Sequence, residues 1–75
     1  MTKKRRQTLS NMKSQLETMV DQLTDLRTDE EIAFNGMPES LQGSLRGEES
    51  STAIDVMQDV ADLLEEAKDS LDQIV

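Results

Sequence analysis

The sequence has no cysteine, no histidine, no tryptophan, no tyrosine and a single phenylalanine in 75 residues. Without cysteine there is no disulfide framework and no thiol nucleophile. Without histidine there is no Ser-His-Asp triad, and with both missing no zinc site of the Cys/His type. The one proline and all three glycines fall between positions 36 and 47. No run approaches the roughly 20 apolar residues that a membrane span needs. The basic opening MTKKRRQTLS is not followed by an apolar stretch and a small-residue cleavage site, so it does not read as a secretory signal. The lack of cysteine fits a reducing cytoplasm, which is the expected location. No cofactor and no metal are expected.

What the chain has in excess is negative charge: 16 Asp and Glu against 8 Lys and Arg, a formal net charge of −8. The charge is unevenly placed. Lys3, Lys4, Arg5, Arg6 and Lys13 precede every acid, and the rest of the chain adds only Arg27, Arg46 and Lys68. Such asymmetry bears on partners and packing direction more than on fold.

The apolar residues repeat with helical spacing in two segments. Leu9, Met12, Leu16, Met19, Leu23 and Leu26 alternate steps of three and four, as do Ala53, Met57, Val60, Leu64, Ala67, Leu71 and Ile74. This ladder is the mark of helices packed through a narrow seam. The expected fold is all-α: a single antiparallel helical hairpin, with a first helix over about 4–34 and a second over about 48–74. Between them lies NGMPESLQGSLRG. Asn35 and Gly36 suit a left-handed helix end. Pro38 suits the first position of a short helical turn, and Ser44 or Ser50 suits the cap of the second helix. Met37, Leu41 and Leu45 are expected to fold over Ile32, Phe34 and Ile54 as an end cap. Antiparallel docking would set the basic N-terminus beside Glu65, Glu66, Asp69 and Asp72, each group offsetting an unfavourable helix dipole.

Two helices leave apolar surface uncovered. Ile54, Ala61 and Val75 lie beside the second ladder, Val56 and Leu63 lie on its other flank, and the first helix adds Val20. Scaffolds of this size usually need a staple, and with disulfides and metals set aside, self-association is the remaining route. A four-helix dimer is the simplest assembly, and a larger ring is also open. Leu9, Met12, Leu16, Met19, Leu23, Leu26, Met57, Val60, Leu64, Leu71 and Ile74 are the expected oligomer seam, with methionines filling irregular gaps.

Three polar features are candidates for function. Asp55, Asp59, Asp62, Glu66 and Asp69 step by four and three along one face, an acidic stripe suited to a basic surface of the kind built for nucleic-acid phosphates or to plain solvation. Lys3, Lys4, Arg5 and Arg6 could meet phosphates. No aromatic stands near to stack on a base, and direct nucleic-acid binding is not expected. The loop residues Phe34, Asn35, Met37, Pro38, Glu39 and Gln42 form a possible recognition element. Carboxylates are plentiful, yet no calcium-binding spacing and no glycine-rich phosphate cradle occurs, so an enzyme is not expected.

The stretch IAFNGMPESLQGSLRGEESSTAIDVM and the LLEEAKDSLDQI after it resemble small helical-hairpin proteins of phages and prophages of Gram-positive bacteria. The likeness is most specific at Asn35, Met37, Pro38, Glu39, Leu41 and Gln42. Leu45 and Ser50 to Thr52 depart from it, at places where charged residues are more usual. The resemblance implies a viral accessory protein. Analogy by class then implies a stoichiometric inhibitor or modulator of a host nucleic-acid-processing or defence protein. Two alternatives stand beside it: an oligomeric sponge for an anionic nucleotide, with its pocket near Phe34, and a structural scaffold component whose seam is its function.

Overall fold

The computed structural model describes all 75 residues, as three helices and no strand. These are α1 (Lys3–Asn35), α2 (Glu39–Gln42) and α3 (Leu45–Leu71). Two long helices joined by a short turn account for the fold, with 85% of the chain helical.

Each boundary has a local cause. Thr2 caps α1, its hydroxyl accepting the Arg5 N–H at 3.2 Å. At the other end the expected left-handed cap does not form. Gly36 has φ −80° and ψ −9°, and no residue in the chain has positive φ. The Gly36 N–H instead donates to the Ile32 carbonyl at 3.0 Å, and the chain turns at Pro38. Pro38 stands one place before α2 and not within it, with its carbonyl accepting the N–H groups of Leu41 and Gln42 at 2.8 and 3.1 Å. Ser44 caps α3: its hydroxyl accepts the Gly47 N–H at 3.4 Å and donates to the Leu41 carbonyl. This cap starts α3 about three residues earlier than its acidic residues suggested.

Gly47 therefore sits in the first turn of a helix and does not break one. It is buried, and a Cβ placed there would run into the backbone carbonyl oxygens of Leu41 and Gln42. The α2 backbone packs on α3 through this contact, which changes the end cap expected from the loop. Met37, Phe34 and Ile54 are half-buried, but Leu41, Leu45 and Ile32 face water, Leu45 with 72% exposure.

The hairpin is antiparallel. Lys13 pairs with Asp72 toward the open end, and Ser50 donates to Glu30 at 2.6 Å near the loop. The register departs from the expected one at the N-terminus. Of the basic residues of α1, only Lys13 pairs with an acid across the hairpin, Asp72 at the C-cap of α3. Lys3, Lys4, Arg5 and Arg6 run past the last turn of α3, exposed and without an ion pair. The reason is length: α1 has 33 residues and α3 has 27, and the short loop fixes one end.

The seam between the helices is built from Leu9, Lys13, Leu16, Val20, Leu23, Arg27, Glu30 and Phe34 on α1. Facing them are Gly47, Ser50, Ile54, Met57, Ala61, Leu64, Lys68 and Leu71 on α3, and all sixteen are buried or half-buried. Val20 and Ala61 are the only apolar residues that count as buried. The Cα trace measures 58 × 14 × 13 Å, a rod only two helices thick. One substitution tests the loop-end packing by its sign. Alanine for glycine in an open helix stabilises by about 1 kcal/mol. Gly47→Ala is expected to destabilise by about 1–3 kcal/mol because backbone must move, as read from urea unfolding; a gain in stability would show that α2 does not press on α3.

Candidate functional site

Helical geometry divides the hairpin into two unlike sides. On α1 the row Met12, Met19, Leu26 lies one step round from the seam. On α3 the row Ala53, Val60, Ala67 lies one step round in the same sense along its own helix, with Ile74 just past the helix end. Because the helices are antiparallel, both rows emerge on the same side of the rod. A groove lined by Met19, Gln22, Leu23, Leu26, Val60 and Leu64 joins them. Met12, Met19, Leu26, Val60 and Ile74 are 38–57% exposed. The outer neighbours are Thr8, Gln15 and Gln22 on α1 and Val56, Leu63 and Ser70 on α3, the two apolar ones exposed as well. Charged residues make up 32% of the chain, yet none falls on this side between Arg5 at one end and Asp29 and Glu49 at the other.

The ladder seen in sequence thus splits in two. Leu9, Leu16, Leu23, Met57, Leu64 and Leu71 are half-buried in the seam of the hairpin itself. Met12, Met19, Leu26, Val60 and Ile74 are exposed beside it, and Val20, Ile54 and Ala61 take the seam places that pure apolarity had assigned to them.

The acids occupy the other side. Asp55, Asp59, Asp62, Glu66 and Asp69 are all exposed on α3, turned away from α1. None of the five belongs to an ion pair; the chain's three pairs are Lys13–Asp72, Arg27–Glu31 and Lys68–Glu65. One hydrogen bond touches the stripe, from the Gln58 amide to Asp62 at 2.9 Å. Like charges at this spacing repel by a few tenths of a kcal/mol per pair, and Lys68, whose charge interacts with that of Asp69, is the one cation placed to relieve them.

The loop residues are dispersed. Gln42 donates to the Phe34 carbonyl at 3.1 Å, tying α2 to the end of α1. Met37 is half-buried, while Asn35, Pro38 and Glu39 are exposed. A cleft beneath the loop is lined by Glu30, Ala33, Met37, Arg46, Glu49 and Ser50. Phe34 does not line it, and two carboxylates against one guanidinium lend no support to an anionic nucleotide there. No group of three or more His, Cys, Asp or Glu is arranged to hold a metal ion. No helix is long and apolar enough to cross a membrane.

No protein-family model, no curated protein and no solved structure matches the chain.

Sequence reasoning missed the polar members of the seam. Lys13, Arg27 and Lys68 hold places on the ladder, laying their aliphatic stems between the helices with their charges at the edge. Their signal was their spacing from Leu9, Leu16, Leu23 and Leu64. Lys68 is the group the fold perturbs. Its ammonium is held above the ordinary 10.5, first by the Glu65 carboxylate, opposed by burial, with the charges of Glu65, Glu17 and Asp69 adding to the rise. A raised lysine pKa stabilises the fold below the unfolded value, and that contribution is lost as pH rises through the folded value. Between about pH 10 and 12, the wild-type chain is expected to lose more stability than Lys68→Gln does. Parallel loss in the two, followed by circular dichroism, would mean that Lys68 gains nothing from the folded state.

Proposed function

We propose that this chain is a non-enzymatic binding protein that acts as a self-associated helical hairpin. Its uncharged side holds the assembly together, and its acidic stripe docks on a basic surface of another macromolecule. The observation that carries this reading is the separation of the two sides. A rod with one side free of charge along its middle and five carboxylates outside any ion pair turned away from it has two different surfaces to satisfy. The apolar side excludes water best against another apolar surface. The acidic side attracts cations at range and gains specificity and association rate from a basic partner. With the resemblance to phage hairpins, the favoured role is a stoichiometric modulator of a host nucleic-acid-processing or defence protein, working in the cytoplasm of the host cell. The basic surface it would occupy is one built to receive phosphates.

The stripe is testable apart from the fold. A chain carrying Asp55→Asn, Asp59→Asn, Asp62→Asn, Glu66→Gln and Asp69→Asn is expected to melt no lower than wild type, since it relieves repulsion. It is also expected to lose at least about tenfold in affinity for a partner isolated with the wild-type chain, and wild-type affinity should fall steeply with salt. Equal binding by the two chains, or affinity flat with ionic strength, contradicts the stripe as a docking surface.

A further inference from the structure

The uncharged side is bounded by charge of opposite sign at its two ends, and this selects its occupant and that occupant's direction. At the open end α1 runs past α3 and carries Lys3, Lys4, Arg5 and Arg6, all exposed and unpaired. They stand at a helix N-terminus with no acid in the first turn, where cations are unfavourable. Arg5 continues the row of Met12, Met19 and Leu26. At the loop end Asp29 and Glu49 flank the same side, both exposed and neither in an ion pair, and Arg46, which continues the row of Ala53 and Val60, leaves these three residues one net negative charge. The chain therefore holds a basic end with no acid in reach and an acidic margin at the far end of one apolar side.

The exposed area is large enough to accommodate a covering partner. A folded monomer of 8.4 kDa exposes about 4,600 Å². The hairpin exposes 5597 Å². The surplus of about 1,000 Å² belongs to the rod shape as a whole, and it is of the size of the roughly 800 Å² per partner that a standard interface covers.

We propose that the occupant is a second copy of this chain, packed antiparallel about a two-fold axis perpendicular to the rod, so that Arg5 of each copy meets Asp29 and Glu49 of the other. The direction rests on the self-association reading above and adds to it. A two-fold axis through the level of Met19 and Val60 lays apolar row on apolar row, and it carries the basic end of each copy to the loop end of its partner. The parallel alternative presses two clusters of Lys3, Lys4, Arg5 and Arg6 together at one end and the acids together at the other. Like charges juxtaposed in an interface are strongly disfavoured. The product of the antiparallel choice is a four-helix bundle with knobs-into-holes packing and an acidic stripe on each outer flank.

A charge exchange tests the direction, and solution mass tests the association. Wild type is expected to be a dimer by sedimentation at micromolar concentration. Arg5→Glu alone, and Asp29→Arg with Glu49→Arg in a second chain, are each expected to raise the dimer dissociation constant by about tenfold or more, with helicity retained. Mixing these two chains restores a tight heterodimer, because both of its ends then join opposite charges. Introduced cysteines report direction independently. Thr8→Cys on one chain and Ala33→Cys on another should cross-link to each other, and neither should cross-link to its own kind. A wild-type dimer that cross-links Thr8→Cys to itself, or ignores the charge reversals, overturns the antiparallel arrangement and leaves self-association standing. A wild-type monomer overturns both and assigns the apolar side to a different protein.

Discussion

A pair of helices has one internal seam, and this chain has more apolar surface than one seam can hide. That mismatch governs the rest of the structure. The seam of the hairpin is modest: Val20 and Ala61 are its only buried apolar residues, and no side chain is fully removed from water. Lys13, Arg27 and Lys68 share the seam with the leucines and lie at its charged edges. The more uniformly apolar row, Met12, Met19 and Leu26, points out of the hairpin, toward the side on which Val60 and Leu63 are also exposed. The inner contact sets the register of the two helices. The exposed row is a further reserve of hydrophobic free energy, at about 25 cal/mol per Å² of apolar area removed from water.

Charge follows the same division. Acids crowd the outer flank of α3, where solvent or a basic partner can meet them, and they are absent from the apolar side between its two ends. Helix dipoles sharpen the pattern, since the unpaired cations sit at the N-terminus of α1, where they gain nothing from their own chain. Local devices hold the rod in shape. Ser44 and Thr2 cap the two long helices, Gln42 ties the turn to α1, and Gly47 lets the α2 backbone rest directly on α3. None of these devices contributes to the exposed sides, so those sides and the hairpin's turn can vary independently.

The two helices and their antiparallel order were legible in the sequence because the three-four ladder and the cluster of Gly36, Pro38, Gly43 and Gly47 are strong signals. The phase of the ladder was not. Choosing the most apolar positions selects Met12, Met19 and Leu26, whereas the hairpin packs one position over, on Lys13, Val20 and Arg27, where long polar side chains can bury their stems. Spacing groups Gly47 with the loop glycines for a related reason. Glycine there serves a close backbone approach inside a helix, which spacing alone does not distinguish from a helix breaker. The acidic stripe was correctly placed on an exposed face, since a run of like charges at helical spacing has nowhere else to go.

The central claim is that folding of this chain is completed by association through the uncharged side. The most direct measurement is the thermal midpoint as a function of chain concentration. If association stabilises the folded hairpin, the midpoint rises steadily with concentration, as mass action requires. A midpoint that stays constant over a hundredfold range, on the order of 1 to 100 μM, would show a hairpin stable as a single copy and would contradict the claim.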